Sequence, residues 1–233
     1  WGFYRRYQLG MLRPDMKPGM QTPTGKMELW STVMETFFPD ENDILPSYVE
    51  VPQSRTAAPE MEQEYPLICN TGRRIPVYFH SEHRQLPWCR ELWPVPKMEI
   101  NPEDAEKYGI EQGDWVWIES PSGKIRQWAD IYEGIEPGVI NCEHQWWFPE
   151  LHEAKKGFDL CNINCLVEGT NQDPICGASN LRAYNVKVYK ATPENSPFGN
   201  PVPCGDDGTE IIHDASDPRL KEWLPNYEIR KEA

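Results

Sequence analysis

NPEDAEKYGIEQGDWVWIESPSGKIRQWADIYEGIEPGVINCEH, residues 101–144, decides the fold class. Asn101 is a favoured N-cap and Pro102 sits at the first helical position. Asp104 puts a carboxylate among the free N–H groups, and Gly109 follows as a C-terminal glycine. The stretch therefore opens on one short helix. DWVWIES then alternates as a strand, PSG (121–123) turns, and KIRQWADIY returns as a second strand. Residues 135–138 turn again and VINCEH continues extended. Upstream, PLICN (66–70) is a short apolar run that predicts a buried strand entering a tight turn at Thr71-Gly72. Downstream, LRAYNVKVY (181–189) alternates Leu181, Ala183, Asn185 and Lys187 against Arg182, Tyr184, Val186 and Val188. Many short strands with one or two short helices predict a mainly β barrel or sandwich.

The flanks read differently. Residues 1–64 form an irregular lead-in and connector; within them KMELWSTVMETFF (26–38) places Leu29, Val33 and Phe37 at helical spacing until Pro39. Pro46, Pro52 and Pro59 keep the following stretch extended. The compact region is expected over residues 65–190. Residues 191–233, rich in Pro, Gly and acid, are expected to wrap as a tail with one short helix around Arg219 to Trp223.

Composition bounds the function. The 233 residues are 39% hydrophobic and 26% charged, as in a globular chain. Lys and Arg number 23 against 37 Asp and Glu, a net charge of -14. That excludes nucleic acid or an anionic membrane held by a general positive field, but not a phosphate held by a few local donors. No apolar run reaches the length of a membrane span. The chain opens on Trp1, so a piece of a longer polypeptide is expected. The seven cysteines (Cys69, Cys89, Cys142, Cys161, Cys165, Cys176 and Cys204) lack a CxxC pair, the closest spacing being Cys161 to Cys165. Buried free thiols are the plain reading; a zinc or iron–sulfur site would want paired spacing.

Three segments could carry chemistry. In CNTGRRIPVYFHSEHRQLP (69–87), N–H groups at a Thr-Gly turn with Arg beside them can hold an anion, and His80, Ser81, His83 and Arg84 offer donors and acceptors to a polar heterocycle. The alternatives are a solvated basic loop, or a metal held by His80 and His83, for which no third ligand is near. In NCEHQWWFPE (141–150), Glu143 and His144 could do acid–base work, or His144 and the two Trp could be packing residues. In LCNINCLVEGTNQDPICGASNLRAYNVKV (160–188), Asn162 and Asn164 would share a face if extended and could read a pterin or purine edge, or could make Asx turns. Arg182 could meet a phosphate or carboxylate. No nucleophile–base pair, GxSxG or P-loop is present.

Taken in order, these segments resemble the C-terminal part of the catalytic subunit of dimethyl sulfoxide reductase family molybdopterin oxidoreductases. TPTGKMELWS (22–31) is similar to that family's TPSGKIELYS lead-in. LICNTGRRIPVYFHSEHR resembles the start of its dinucleotide-binding domain, residues 98–140 its helix–strand–turn–strand centre, and NINCLVEGTNQDPICGASNLRAYNVKVYK its closing segment. Four motifs in family order, from Thr22 to Lys190, make the resemblance specific. HQWWFPE and Arg182 look closest to the thiosulfate- or polysulfide-reductase-like and acetylene-hydratase-like branches.

The resemblance implies a six-stranded double-psi β-barrel, aspartate-decarboxylase-like, and a bis(molybdopterin guanine dinucleotide) cofactor with Mo or W. It implies that Thr71, Gly72 and Arg73 line the pterin or pyrophosphate, that His80 and Ser81 follow along the same wall, and that Asn164 and Arg182 contact the cofactor. His144 is a further candidate on the loop facing the pterin. The family's metal ligand and its N-terminal iron–sulfur cysteines lie in earlier domains, so no catalytic or metal-ligating residue is assigned here. Upstream domains of the same subunit are the expected partners, with an iron–sulfur electron-transfer subunit as a further one. The isolated chain is not expected to turn over, and Trp-rich stretches are expected on an exposed apolar face where those domains pack. A competing reading is a non-catalytic double-psi barrel acting as an interaction module. Another is a Cys/His metal protein.

Overall fold

Residues 5–39, 44–45, 47–73, 75–148, 154–169, 172–173, 177–180 and 182–196 are described in the computed structural model. They fall into two compact units, one drawn from residues 1–50 and 173–178 and the other from residues 51–172 and 179–233. The expected tail helix lies outside the described residues.

In the first unit, side chains tie the TPTGKMELWS stretch into a turn. Thr22 Oγ1 donates to the Lys26 carbonyl at 2.6 Å, and Glu28 Oε1 accepts from both N and Oγ1 of Thr24. The one helix of this unit among the described residues, α1 (Thr32–Phe37), starts only where Ser31 Oγ accepts from Met34 N at 3.2 Å. The helix expected from Lys26 is therefore shorter, because turn bonds and a serine cap outcompete spacing. Nor does its apolar stripe face a core. Leu29, Val33 and Phe37 are 72%, 48% and 69% exposed.

In the second unit the elements are β1 (Leu67–Arg73), α2 (Pro87–Leu92), β2 (Lys97–Ile100), α3 (Pro102–Tyr108), β3 (Trp115–Ser120), β4 (Gly123–Ile131), β5 (Val139–Glu143), α4 (Phe158–Cys161) and β6 (Tyr184–Lys190). The six strands close into a barrel in the order β1-β5-β2-β4-β3-β6. β1 runs parallel to β5 and β2 parallel to β4, and the other neighbours are antiparallel. This is the mainly β, six-stranded double-psi barrel that the resemblance implies. Closure leaves no free sheet edge.

Alternation fills the interior. Leu67 and Cys69, Met98 and Ile100, Val116 and Ile118, Ile140 and Cys142, and Tyr184, Val186 and Val188 join one core. Each buried aliphatic side chain contributes about 1.5–3 kcal/mol. Cys69 and Cys142 sit here as thiols, sulfur to sulfur at 3.6 Å, and burial pushes the Cys142 thiol well up.

A second core lies outside the barrel wall, built from Ile75, Tyr78, Cys89, Val95, Trp115, Trp146, Phe148 and Cys161. The tryptophans expected on an exposed face are thus largely structural. Trp115, Trp117 and Trp146 are buried, whereas Trp30 and Trp88 are exposed.

Helix α3 forms as its capping residues dictate. Asn101 Oδ1 accepts from Glu103 N at 2.9 Å, and Gly109 closes the helix in the left-handed conformation, φ 63°. Asn101 Nδ2 also donates to the Ile135 carbonyl at 2.7 Å, and Asp104 Oδ2 accepts from Gly138 N at 2.6 Å. Asn101→Ala removes a cap and strands a carbonyl. It should cost about 2 kcal/mol, read as a fall of about 4–8 °C in the unfolding midpoint. A fall under 1 °C would show that the cap is dispensable.

Candidate functional site

Strand β1 does not turn at Thr71-Gly72 as expected. Thr71 still pairs with Cys142 and Arg73 pairs with Glu143, so Gly72 is the extra residue of a bulge. Its φ is 100°, a conformation that glycine takes without strain. A Cβ there would meet nothing closer than Arg182 Nη2 at 4.0 Å. The bulge thus leaves bare backbone with a guanidinium beside it.

Both border a cavity of about 360 Å³. Six of the eight candidate residues line it: Thr71, Gly72, His80, His144, Asn164 and Arg182. Tyr78, Phe79, Gln145, Ile163 and Tyr184 complete the wall. Ser81 lies instead on a neighbouring cavity of about 390 Å³, with Lys155 and Lys156, and its carbonyl accepts from Trp147 Nε1 at 2.6 Å. The two cavities share Gln145 and Asn164. The side chain of Arg73 lies outside the described residues.

Each wall residue is held by its neighbours. His80 Nδ1 is 2.9 Å from Gln145 Oε1. The His80 ring meets the His144 ring edge to face at 5.6 Å and the Phe79 ring, also edge to face, at 4.4 Å. His80, Gln145 and Ala183 all have left-handed backbone, with φ of 49°, 56° and 61°. Non-glycine residues held there cost on the order of 1 kcal/mol or more each, and such strain concentrates at functional sites. Tyr184 hydrogen-bonds Thr71, and burial holds its phenol well above the ordinary range, so it stays neutral.

Asn162 and Asn164 do not share a strand face. Asn162 Oδ1 caps a 3-10 helix, Ile163–Leu166, by accepting from Asn164 N at 3.0 Å, and its Nδ2 donates to the Trp146 carbonyl at 3.3 Å. The Asx reading holds for Asn162, and this cap leaves Asn164 exposed on the cavity wall. Strand β6 begins at Tyr184, so Arg182 precedes the strand rather than starting it. His83 lines neither cavity, and Arg84 is buried behind the first one. Among the described residues no three His, Cys, Asp or Glu side chains converge as a metal site.

Below His144 the chain is anchored by a buried amide. Gln127 Nε2 donates to the carbonyls of Glu143 and Cys161, and Gln127 Oε1 accepts from Glu143 N. Gln127 thereby fixes the end of β5 against α4, which sets where His144 leaves the barrel.

Sequence reasoning did not assign Gln145, Tyr78 or Tyr184 to the site. Alternation did put Tyr184 on the face of Arg182, a signal for it. The left-handed turn that brings in Gln145 has no such mark. The wall as a whole offers hydroxyls, amides, two imidazoles, one cation and an exposed stretch of backbone. That donor set fits a polar heterocycle carrying phosphate.

Comparison with known proteins points the same way. Residues 67–184 match the family model described as Molydopterin dinucleotide binding domain. The dopamine dehydroxylase of Eggerthella lenta is 57% identical over 99% of this chain, which covers 24% of that relative. The acetylene hydratase of Syntrophotalea acetylenica is 33% identical over 74% of the chain, again 24% of the relative. The solved acetylene hydratase from Pelobacter acetylenicus superposes with a TM-score of 0.68 at 32% identity, covering 77% of this chain and 25% of that one. The chain thus spans about a quarter of the length of these relatives.

Proposed function

We propose, for a chain that belongs to the molybdopterin dinucleotide-binding domain family of dimethyl sulfoxide reductase-type oxidoreductases, that its cavity seats part of a bis(molybdopterin guanine dinucleotide). The observation that carries this reading is convergence. Residues scattered from Thr71 to Arg182, each assigned by motif, line one cavity. Gly72 lets backbone approach the ligand, Arg182 opposes anionic charge, and the His80–His144 pair with Asn164 offers directional hydrogen bonds. Arg73 and Ser81 extend the same wall in this reading. A chain of net charge -14 needs such local cations to hold a pyrophosphate. When bound, the cofactor supplies two-electron chemistry at its Mo or W, while these side chains bind and orient it.

The whole protein is then an oxidoreductase whose metal ligand comes from upstream domains, with an iron–sulfur subunit to carry electrons. This chain alone would hold cofactor without turnover. The exposed apolar side chains of the first unit, Met27, Leu29 and Phe37 among them, suit burial against those domains. The likeness to a dopamine dehydroxylase makes a catechol the first substrate to assay.

The test is pterin content. In the whole protein, released pterin would be oxidised and quantified by fluorescence per folded molecule, with elemental analysis for Mo and W. The double variant His80→Ala with His144→Ala should retain about tenfold less pterin than the native protein, the effect of losing one or two hydrogen bonds. Full retention would remove the cavity from cofactor binding.

A further inference from the structure

We infer that Arg84 is a positioning residue that ties together the two histidine-bearing segments of the cavity wall. Arg84 is only 2% exposed and lines neither cavity. Its Nη1 donates to the carbonyl of His80 and, at 3.0 Å, to that of Glu82. Its Nη2 donates to the carbonyl of His144 at 3.4 Å. One planar fork therefore holds backbone from two segments distant in the chain.

The surroundings explain why an arginine is needed. The guanidinium lies over the Tyr78 ring at 4.4 Å and the Trp146 ring at 5.0 Å, both members of the second core. Among the described residues no carboxylate stands within ion-pair distance of it, and its Nε has no acceptor. Burial lowers its pKa to about 10, so it remains charged at neutral pH. A buried charge is costly, and an apolar side chain could fill the same space without that cost. What an apolar side chain could not do is bond both carbonyls. The left-handed backbone at His80 lets its carbonyl face Arg84 while the residue lines the cavity. Lysine, a point donor without a fork, cannot bridge the two segments in this way.

This inference rests on the reading of the cavity as a cofactor seat, and the experiment separates the two. In the whole protein, Arg84→Lys is compared with Val95→Ala, a buried member of the same core, at matched loss of thermal stability. Arg84→Lys should lower pterin per folded molecule about tenfold, the scale for residues that orient a binding shell. Val95→Ala should not lower it. In the His80→Ala, His144→Ala background Arg84→Lys should add almost nothing, since its effect passes through those residues. An undiminished pterin content in Arg84→Lys, or an additive loss in that background, overturns the inference. If the histidine variants themselves retain full pterin, the cofactor-seat reading fails instead. A measurement on the native protein needs no variant to fold. Peptides covering residues 79–85 and 143–148 should exchange amide hydrogen through one shared opening, and unrelated opening rates would overturn the tie.

Discussion

Trp146→Ala is expected to lower the unfolding midpoint of this domain by about 6–20 °C, corresponding to about 3–5 kcal/mol. Trp146 is fully buried and central to the second core. Tyr78 meets it edge to face at 5.3 Å and Phe148 at 6.2 Å. Arg84 and Arg90 lie over its ring at 5.0 and 5.7 Å. Truncation therefore opens a large void and removes the aromatic surface from two buried cations, so the loss belongs at the upper end for a core residue. Trp146→Phe keeps an aromatic face and should cost less than half as much. Differential scanning calorimetry of the whole protein checks both, and a shift below 3 °C for the alanine variant would mean that the second core does not hold this wall.

The same residue shows what could be read without a structure. HQWWFPE left open whether its aromatics pack or bind; the fold uses both, with Trp146 in the core and His144 on the cavity. Where the determinants are local, the reading was close. Asn101, Pro102 and Gly109 specify α3 through capping chemistry that acts within a few residues, and the Pro-Ser-Gly turn specifies the β3–β4 hairpin. Where distant partners decide, it was not. Gly72 looked like the end of a strand because nothing nearby reveals that β5 continues the pairing to Arg73. Asn162 and Asn164 left an extended and an Asx-turn reading open because their apolar neighbours resemble a strand; the side chain of Asn162 caps a helical turn. Strand β2 and helix α2 went unread by pattern: β2 has four residues, and α2 begins at Pro87 after Leu86, an N-cap residue that offers no side-chain bond.

The site was legible for a different reason. His80, His144, Asn164 and Arg182 have no spacing that would bring them together, and only the order of family motifs placed them in one list. The barrel supplies the missing geometry by pairing β1 with both β5 and β6, which sets Thr71-Gly72 between the segments carrying His144 and Arg182. Arg84 was misjudged for the same cause. Its place among His80, Ser81 and His83 suggested a ligand donor, while long-range packing turned it inward onto backbone.

Charge reversal at Arg182 should have the largest effect on cofactor retention. Its guanidinium lies beside the Gly72 bulge, both line the cavity, and the described lining of that cavity contains no Lys, Asp or Glu. Loss of a charge-assisted bond to a phosphate removes about 1.5–3 kcal/mol, and a carboxylate in its place adds repulsion. Arg182→Glu in the whole protein should therefore retain at least about 100-fold less pterin dinucleotide. Arg182→Lys, which keeps the charge but not the fork, should fall between. Because Arg182 is exposed, folding should be little affected, and the unfolding midpoint of the cofactor-free protein should move by less than about 2 °C. Raising the salt concentration should weaken retention by the native protein and narrow its advantage over Arg182→Glu, as screening predicts for a partly exposed ion pair. Equal retention by the native and Glu proteins at low salt would place the anionic part of the ligand elsewhere, with Lys155 and Lys156 of the adjoining cavity the next residues to reverse.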